Sequence, residues 1–378
     1  MKIAIVVEII NYHSGARAPL EIAKHLAKLN HKITIYACSY DQDHETRNDI
    51  IKSGVSIVVL NKVPLPFIGK YITAFSLFGL LKKSSPDVIA YAGSFPFFLS
   101  SRLTNIPIVL MYHGAQPNAY LEKKIPDEKI TIKDKLINQI ANMYIYLVNG
   151  ILVYLSKEVV AISKFAAKEA ESLYRKKVNS VIYLGATSFS SNKQAAKKEK
   201  DYIAILSVSR ITPYKGFHLI INALKKIKTE KKIIFTIVGS QPKTKYVTYL
   251  KKLGGNNIRI IIDPPDQELA NLYQNSDIYV TADRYLYFGL PILEAAQFSK
   301  PTVSFNFAAA SEIIEHGKTG YVAKNPHDFS RYIKKLIEDK ALRVRLGKNA
   351  RDRSDQFSWE KCAKEWEEVL SKNVIIYR

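Results

Sequence analysis

The sequence predicts an α/β chain made of two doubly wound domains in tandem. Three observations carry this. Short β-rich runs alternate with helical patterns up to about Thr187, a polar stretch without apolar anchors follows, and a second alternation of the same kind starts at Tyr202. Strands alternating with helices imply parallel sheets covered on both faces, because each parallel crossover needs a helix to bring the chain back. A length of 378 residues suits two domains, each large enough for its own core.

The first domain is expected over residues 1–187. Lys2–Val7 reads as a buried strand: its apolar run is too short for a secretory leader, and Glu8 ends it. Further strands are expected at Lys32–Ala37, Val55–Leu60, Asp87–Tyr91, Ile106–Tyr112, Val159–Ile162 and Asn179–Tyr183. Helical patterns occupy Arg17–Leu29, His44–Lys52, Tyr71–Lys83, Phe95–Leu103, Lys133–Leu155 and Lys164–Arg175. Thr187–Lys200 reads as the linker. The second domain, residues 201–357, has strands at Tyr202–Val208, Ile233–Val238, Ile258–Ile262, Ile278–Thr281, Thr302–Phe305 and Gly320–Ala323. Its helices fall at Phe217–Lys228, Lys245–Leu253, Gln267–Gln274, Ile292–Phe298, Ser311–Glu315, Asp328–Asp339 and Ala341–Gln356. Residues 358–378 form a C-terminal helix, amphipathic through Cys362, Trp366 and Val369, expected to pack back toward the N-terminal domain.

Composition narrows the function classes. A 47% hydrophobic content excludes a disordered chain, and a net charge of +22 favours nucleic acid, phosphorylated substrates or an acidic membrane surface as partners. Nucleic-acid binding calls for basic and aromatic residues interleaved on a sheet face or recognition helix, and the basic residues are instead spread over both domains. Cys38 and Cys362 form neither a disulfide framework nor a metal spacing, which points to a reducing cytosol. Leu136–Ser156 carries no charged residue and is nearly long enough to span a bilayer. Asn138, Gln139, Asn142 and Asn149 interrupt it and Gly150 breaks it, so a buried or membrane-facing helix is expected instead. Val63–Leu81 reads as a core helix, with a surface-seeking helix and loop as the alternative.

Two stretches carry chemistry. After the strand Ile278–Thr281, Phe288-Gly289-Leu290-Pro291 leads into a helix. Pro291 suits the first turn, where its missing N–H costs nothing, and Gly289 lets the backbone approach a ligand closely. A strand, a glycine turn and a helix N-terminus make an anion site, with Glu294 in the first turns. The expected ligand is a nucleotide-sugar diphosphate with Glu294 on the ribose; the alternative is an ordinary βα connection with Glu294 solvated or capping. In Ser209-Arg210-Ile211-Thr212-Pro213-Tyr214-Lys215-Gly216-Phe217, Arg210 and Lys215 follow a strand and precede a helix. Two cations there can clamp a diphosphate, the arginine as a fork and the lysine as a point charge; the alternative is a solvated basic loop.

In order and spacing, Ser-Arg-x-x-x-x-Lys-Gly at 209–216, Phe-Gly-Leu-Pro-Ile-Leu-Glu-Ala at 288–295, Lys300-Pro301-Thr302-Val303 and Glu312–Gly320 are similar to the retaining glycosyltransferases of family 4 (group 1) across about residues 205–323. The N-terminal half matches more loosely, in Gly15-Ala16-Arg17, Tyr112-His113-Gly114 and Val160-Ala161-Ile162-Ser163. The resemblance implies a GT-B fold, two Rossmann-like domains with an inter-domain cleft, the first for the acceptor and the second for the donor. It implies that Arg210 and Lys215 hold the donor diphosphate, Glu294 the ribose, and Gly15 the phosphates or sugar through backbone N–H groups. His113 would face the donor sugar, and the helix from Leu290 would turn its dipole on the distal phosphate. Gly239 and Gly289 complete the donor set, and His113, Arg210 and Lys215 form the catalytic set.

The activity so implied is transfer of a hexose-type sugar, with retention, from a nucleoside-diphosphate sugar to a saccharide or lipid-linked acceptor, without a metal or other cofactor. Asp41-Gln42-Asp43 matches Asp-x-Asp by letter only. Basic helices and apolar stretches in the first half add a peripheral position on an anionic, cytoplasmic membrane face. The chain departs from the family at Leu286, where the first of two glutamates eight positions apart belongs; the glycines of the first loop are thinned to Ser14-Gly15, and those before Glu312 appear as Ala308-Ala309-Ala310. Three readings of Leu286 stay open: Asp283, Arg284 or Tyr285 substitutes by a loop shift, the donor sugar lacks the usual hydroxyl contact, or the protein is a weak or silent partner subunit. A nucleotide-sugar epimerase of the same architecture and a nucleic-acid-binding protein are the remaining rivals.

Overall fold

The computed structural model describes residues 1–11, 16–40, 44–61, 63–65, 68–116, 118, 120–187, 200–240 and 242–375. Ser14-Gly15, Asp41-Gln42-Asp43 and linker residues 188–199 lie outside the described residues. The chain divides into two compact units.

The first unit takes in Met1–Ala115, Met143–Gly185 and Trp359–Arg378. In chain order its elements are β1 (Lys2–Ile10), α1 (Arg17–Lys28), β2 (Lys32–Tyr40), α2 (His44–Lys52), β3 (Ser56–Val59), α3 (Gly69–Ser84), β4 (Val88–Ala92), α4 (Phe95–Arg102), β5 (Ile108–Tyr112), α5 (Ile132–Leu155), β6 (Glu158–Ala161), α6 (Lys164–Tyr174) and β7 (Ser180–Val181). Up to Asn142, α5 packs with the second unit, and from Met143 with the first. The strands form one parallel sheet in the order β3-β2-β1-β4-β5-β6-β7. Buried Ile3, Ile5, Ile33, Ile35 and Ile89 fill its two faces, as expected of parallel strands covered on both sides.

β1 outruns its expected end at Val7. Ile9 and Ile10 still pair with Ser39 and Tyr40 of β2, and Glu8 is tolerated inside the strand because its carboxylate accepts from Lys70 Nζ at 2.8 Å. α3 buries Thr73, Ala74, Leu77 and Leu81 and leaves Tyr71, Ile72 and Phe75 exposed. α5 is not a buried helix, since Leu136, Ile140 and Leu147 are all more than half exposed.

The second unit takes in Gln116–Asn142 and Ala186–Ser358. Its elements are β8 (Tyr202–Val208), α7 (Phe217–Lys225), β9 (Lys232–Gly239), α8 (Thr244–Gly254), β10 (Ile258–Ile262), α9 (Asp266–Asn275), β11 (Ile278–Thr281), α10 (Leu290–Gln297), β12 (Thr302–Phe305), α11 (Ala310–Ile313), β13 (Gly320–Ala323), α12 (Pro326–Glu338) and α13 (Lys340–Ser354). The sheet is again parallel, in the order β10-β9-β8-β11-β12-β13. Its core joins Ile205, Phe217, Phe235, Ile278, Val280 and Phe329. α12 and α13 start where side chains cap free N–H groups, Asn325 on Asp328 and Asp339 on Leu342.

The last helix, α14 (Trp359–Ile375), belongs to the first unit. It buries Cys362, Ala363, Trp366 and Leu370, while Val369 is only half-buried. The inward face therefore runs through Leu370, one position round from the expected Val369. Polar pairs fix the helix to α1, β6 and the start of β2: His25 Nε2 lies 3.3 Å from Glu360, His31 Nε2 lies 2.6 Å from Glu367, and Asn373 Nδ2 donates to Glu158 at 2.7 Å. Gly185 makes the entry possible, because a Cβ there would lie 2.3 Å from the Trp359 nitrogen. Both tryptophans of the chain sit in this helix, so their fluorescence reports on the first unit. Leu370→Ala, at a fully buried site, is expected to destabilise that unit by about 2–5 kcal/mol through lost burial and the cavity left behind; the shift of the denaturant midpoint read by tryptophan fluorescence measures it.

Candidate functional site

The second sheet reverses direction between β8 and β11. Loops leaving two such strands part at the carboxyl edge, the position where open parallel sheets take ligands. Arg210 and Lys215 are on the loop after β8, and Gly289 is on the loop after β11.

The loop after β8 is fixed at both ends by glycines. Gly239, the last residue of β9, lies under Ser209: an added Cβ would sit 1.7 Å from the Ser209 carbonyl oxygen, and Ile211 N donates to Ser240 O at 3.0 Å. Pro213–Lys215 then form a 3₁₀ turn closed by Gly216 at φ +73°, a left-handed conformation suited to glycine. Gly216 also passes against the second loop, where a Cβ would meet the Ala282 oxygen at 2.5 Å. This close approach brings Lys215 Nζ to 2.5 Å from Asp283 Oδ2, with both side chains buried. Asp283 Oδ1 accepts from Tyr285 N at 2.9 Å.

Both cations lie over the Tyr214 ring, Lys215 Nζ at 5.1 Å and the Arg210 guanidinium at 5.9 Å from its centroid, and Tyr285 meets it edge-on at 5.7 Å. These are cation–π distances. Arg210 Nε is buried and has no hydrogen-bond partner among the described residues. Three cations, Arg210, Lys215 and Arg284, against the one carboxylate of Asp283 leave the loop pair with a net positive charge.

At the second loop, Gly289 is left-handed at φ +100° and serves as N-cap of α10, with Pro291 in the first turn and no side chain capping the N–H groups. Leu286 packs over Gly289, where a Cβ would meet its Cδ1 at 3.2 Å. Leu286, Tyr287 and Phe288 are all buried. The loop is held in place: Leu286 O accepts from Ala309 N at 3.0 Å, and Tyr287 OH accepts from Gln116 N at 2.9 Å. Asp283 stands in this loop as a carboxylate, but it is engaged with Lys215. Glu294 is buried and accepts from Tyr273 OH at 2.8 Å, so it is neither a solvated residue nor a helix cap. Nearby, Glu122 approaches Arg284 at 3.5 Å and Lys243 Nζ reaches Lys123 O at 3.4 Å, fastening the segment after Gln116 to the same edge.

His113 follows β5 in the first unit, ahead of a left-handed Gly114 at φ +104°. Glu169 on α6 braces this turn, accepting from Tyr112 OH at 3.0 Å and Ala115 N at 2.9 Å. Burial pushes the His113 imidazole down to about 4, so the ring is neutral near pH 7. Arg210, Lys215, Gly239, Gly289, Leu290 and Glu294 thus all stand in the second unit and His113 in the first, while Gly15 lies outside the described residues. Tyr214, Tyr273 and Glu169 were not singled out from the sequence. Tyr214 could have been, since it lies between the two cations in the chain itself.

Two family models match the chain, Glycosyltransferase Family 4 over residues 15–186 and Glycosyl transferases group 1 over residues 188–353. Between them they take in the chain from residue 15 to residue 353 apart from residue 187, and the chain belongs to the family 4, group 1 glycosyltransferases. Among solved structures it is similar to Anabaena HepE in complex with UDP and glucose (TM-score 0.78, 17% identity, 98% of this chain and 100% of that one). It is also similar to a sucrose-phosphate synthase of Thermosynechococcus elongatus (TM-score 0.78, 14% identity, 98% of both chains). Identities this low speak for the fold, which is GT-B. An uncharacterised glycosyltransferase of Methanocaldococcus jannaschii is 28% identical over 210 residues, 55% of this chain and 57% of the relative. The capsular polysaccharide glycosyltransferase CapM of Staphylococcus aureus is 25% identical over 254 residues, 61% and 66% respectively. The chain spans about two fifths to two thirds of the length of the curated relatives it matches.

The neutral state of His113 has a measurable consequence. Its folded value lies below the ordinary value of 6.5, so protonation favours the unfolded chain. The stability it contributes is present above about pH 6.5 and is lost as pH falls toward 4. In an NMR titration its ring protons are expected to move with a midpoint near 4; a midpoint at the ordinary value would contradict the neutral ring.

Proposed function

We propose that the protein moves a hexose-type sugar, with retention, from a nucleoside-diphosphate sugar to a saccharide or lipid-linked acceptor, working without a metal at the cytoplasmic face of a membrane. The observation that carries this reading is the pairing of two buried or half-buried cations, Arg210 and Lys215, with the uncapped N-terminus of α10 on loops that part at the sheet's switch point. Structures of Anabaena HepE with UDP and with UDP-glucose support a nucleotide-sugar donor for this fold.

In this reading the donor's diphosphate takes up the charge that builds as the sugar–phosphate bond breaks. Arg210 would grip it as a fork, Lys215 as a point charge, and the first N–H groups of α10 as an oriented dipole. Asp283 holds Lys215 before the donor arrives, so a diphosphate oxygen would share or displace one short ion pair without needing to order a free lysine. Glu294, set by Tyr273, would meet the ribose hydroxyls. His113, as a neutral ring, would hydrogen-bond a sugar hydroxyl. The acceptor hydroxyl would enter on the face the diphosphate leaves, which gives retention.

The second reading is a catalytically silent partner subunit. It is favoured by the buried Leu286 at the position of a family glutamate, and by the tie between Lys215 and Asp283. Donor hydrolysis or transfer by the purified chain alone separates the two. In a transferase, Lys215→Ala is expected to lower kcat on the order of 10²-fold or more, as for other lost transition-state donors. Because that change strands Asp283 as a buried charge, Lys215→Met combined with Asp283→Asn provides the control: it removes both charges, should fold, and should still lose turnover. Normal turnover in the double variant would end the assignment of Lys215. In thermal shift, a nucleoside diphosphate at 100 times its Kd is expected to add about 2.7 kcal/mol; no shift with any nucleoside diphosphate or its sugar would count against donor binding itself.

A further inference from the structure

α5 has an outer face that water alone does not explain. Ile132, Leu136, Ile140, Met143, Leu147 and Ile151 follow one another at helical spacing and are 37–87% exposed. No charged residue occurs between Leu136 and Ser156. The helix is long and apolar enough to cross a bilayer, yet only 17% of its most apolar window is buried. Single exposed apolar residues are ordinary, but an unbroken ridge about 30 Å long marks a surface that something covers.

The opposite side of the helix shows how it can be covered. Near its start Asp134 pairs with Lys124 at 2.6 Å, and Asn138 accepts from Leu121 N at 3.3 Å and donates to Asn118 at 3.0 Å. Near its end Lys176 Nζ donates to the carbonyls of Val153, Tyr154 and Ser156, and Tyr154 OH donates to Tyr174 O at 2.5 Å. These bonds hold one side of the helix against protein from its first turn to its last. It cannot cross a bilayer without breaking them, but it can lie in the membrane surface with its outer ridge immersed.

Charge indicates which surface. Exposed Lys129, Lys133 and Lys135 flank the start of the ridge, against Asp127 and Glu128, and Arg175 and Lys177 stand exposed near its end, in a chain of net charge +22. Lys70 at the start of α3, with its neighbours Tyr71, Ile72 and Phe75, is also exposed. An apolar ridge bordered by cations fits the headgroup boundary of an anionic bilayer, where apolar burial and electrostatic attraction add.

We propose that α5 is an interfacial docking helix that lies in the plane of an anionic lipid surface along Ile132, Leu136, Ile140, Met143, Leu147 and Ile151, without spanning it. This deepens the transferase reading by naming where a lipid-linked acceptor would be met, but its test needs no turnover. Wild-type protein and the Leu136→Gln/Leu147→Gln variant are sedimented with phosphatidylcholine vesicles with and without phosphatidylglycerol. The wild type is expected to pellet with the anionic vesicles, to resist moderate salt in part, and to be released by alkaline carbonate. The variant, altered only at exposed sites, should keep its melting temperature and any nucleoside-diphosphate thermal shift while binding vesicles roughly tenfold or more weakly. In a Met143→Trp variant, lipid-borne bromine should quench the new fluorescence. The proposal is overturned if the wild type ignores anionic vesicles at low salt, if the variant binds equally well, or if carbonate fails to extract the protein. It is also overturned if the ridge proves to be covered by a second copy of the chain in lipid-free solution. Vesicle binding without any nucleoside-diphosphate shift would support the docking helix and refute the transferase reading.

Discussion

The candidate site depends on one close approach, that of Gly216 to the Ala282 carbonyl. The two loops at the switch point can touch only because Gly216 has no Cβ and adopts a left-handed conformation. A larger residue would push the Pro213–Lys215 turn off the end of β11 and draw Lys215 away from Asp283. Burying both charges carries a desolvation cost of several kcal/mol per ion, offset only by good geometry and further hydrogen bonds. The 2.5 Å contact and the Tyr285 N–H on the second Asp283 oxygen supply both. Such a pair adds little net stability, but it fixes where the ammonium stands. A group meant to meet charge developing in a transition state needs that fixity, since reorganisation at the moment of reaction would forfeit most of its effect.

The same logic gives Leu286 a physical meaning. Its side chain packs over Gly289, beside N–H groups that no side chain caps. A hydrocarbon wall there lowers the local dielectric and strengthens the pull of the helix dipole on an anion. A leucine cannot, however, offer the hydrogen bonds to sugar hydroxyls that a glutamate would. In the proposed reading, donor phosphate and donor sugar would therefore be served unequally: the phosphate would meet cations, an aromatic ring and a helix end, and the sugar at this position only apolar contact.

The fold was legible in the sequence because parallel strands covered on both faces read as continuous apolar runs, and their helices carry a clear period. The misses were local. Glu8 looked like a strand end because its partner Lys70 lies 62 positions away, and the inner face of α14 was read one residue early, at Val369 in place of Leu370. In the site, Arg210, Lys215, Gly289 and Glu294 could be read because each belongs to a short strand–turn–helix pattern. Their partners could not. Lys215 meets Asp283 across 68 residues, Glu294 meets Tyr273 across 21, and Tyr287 meets Gln116 across 171. Spacing along a chain reveals which groups share a turn, whereas the meeting of Lys215 and Asp283 comes from strand order, with β8 beside β11, which periodicity does not encode.

Strand order also does not account for the segment between β5 and α5, which earns its place through polar bonds on both sides. Gln116 N donates to Tyr287 and Glu122 approaches Arg284, while Asn118 meets Asn138 and Asn142 of α5, and Lys124 meets Asp134. Asn138 and Asn142 are two of the residues that interrupt the apolar stretch, and these bonds give them a place. In the proposed interfacial placement, polar anchors on the inner side would keep such a helix attached to the protein. The asparagines provide those anchors, and the segment they hold is the one bonded to the edge that carries Arg284 and Tyr287. Asn118 and Lys124 thus tie this segment to the start of α5, and Gln116 and Glu122 tie it to the loop after β11, all within the second unit.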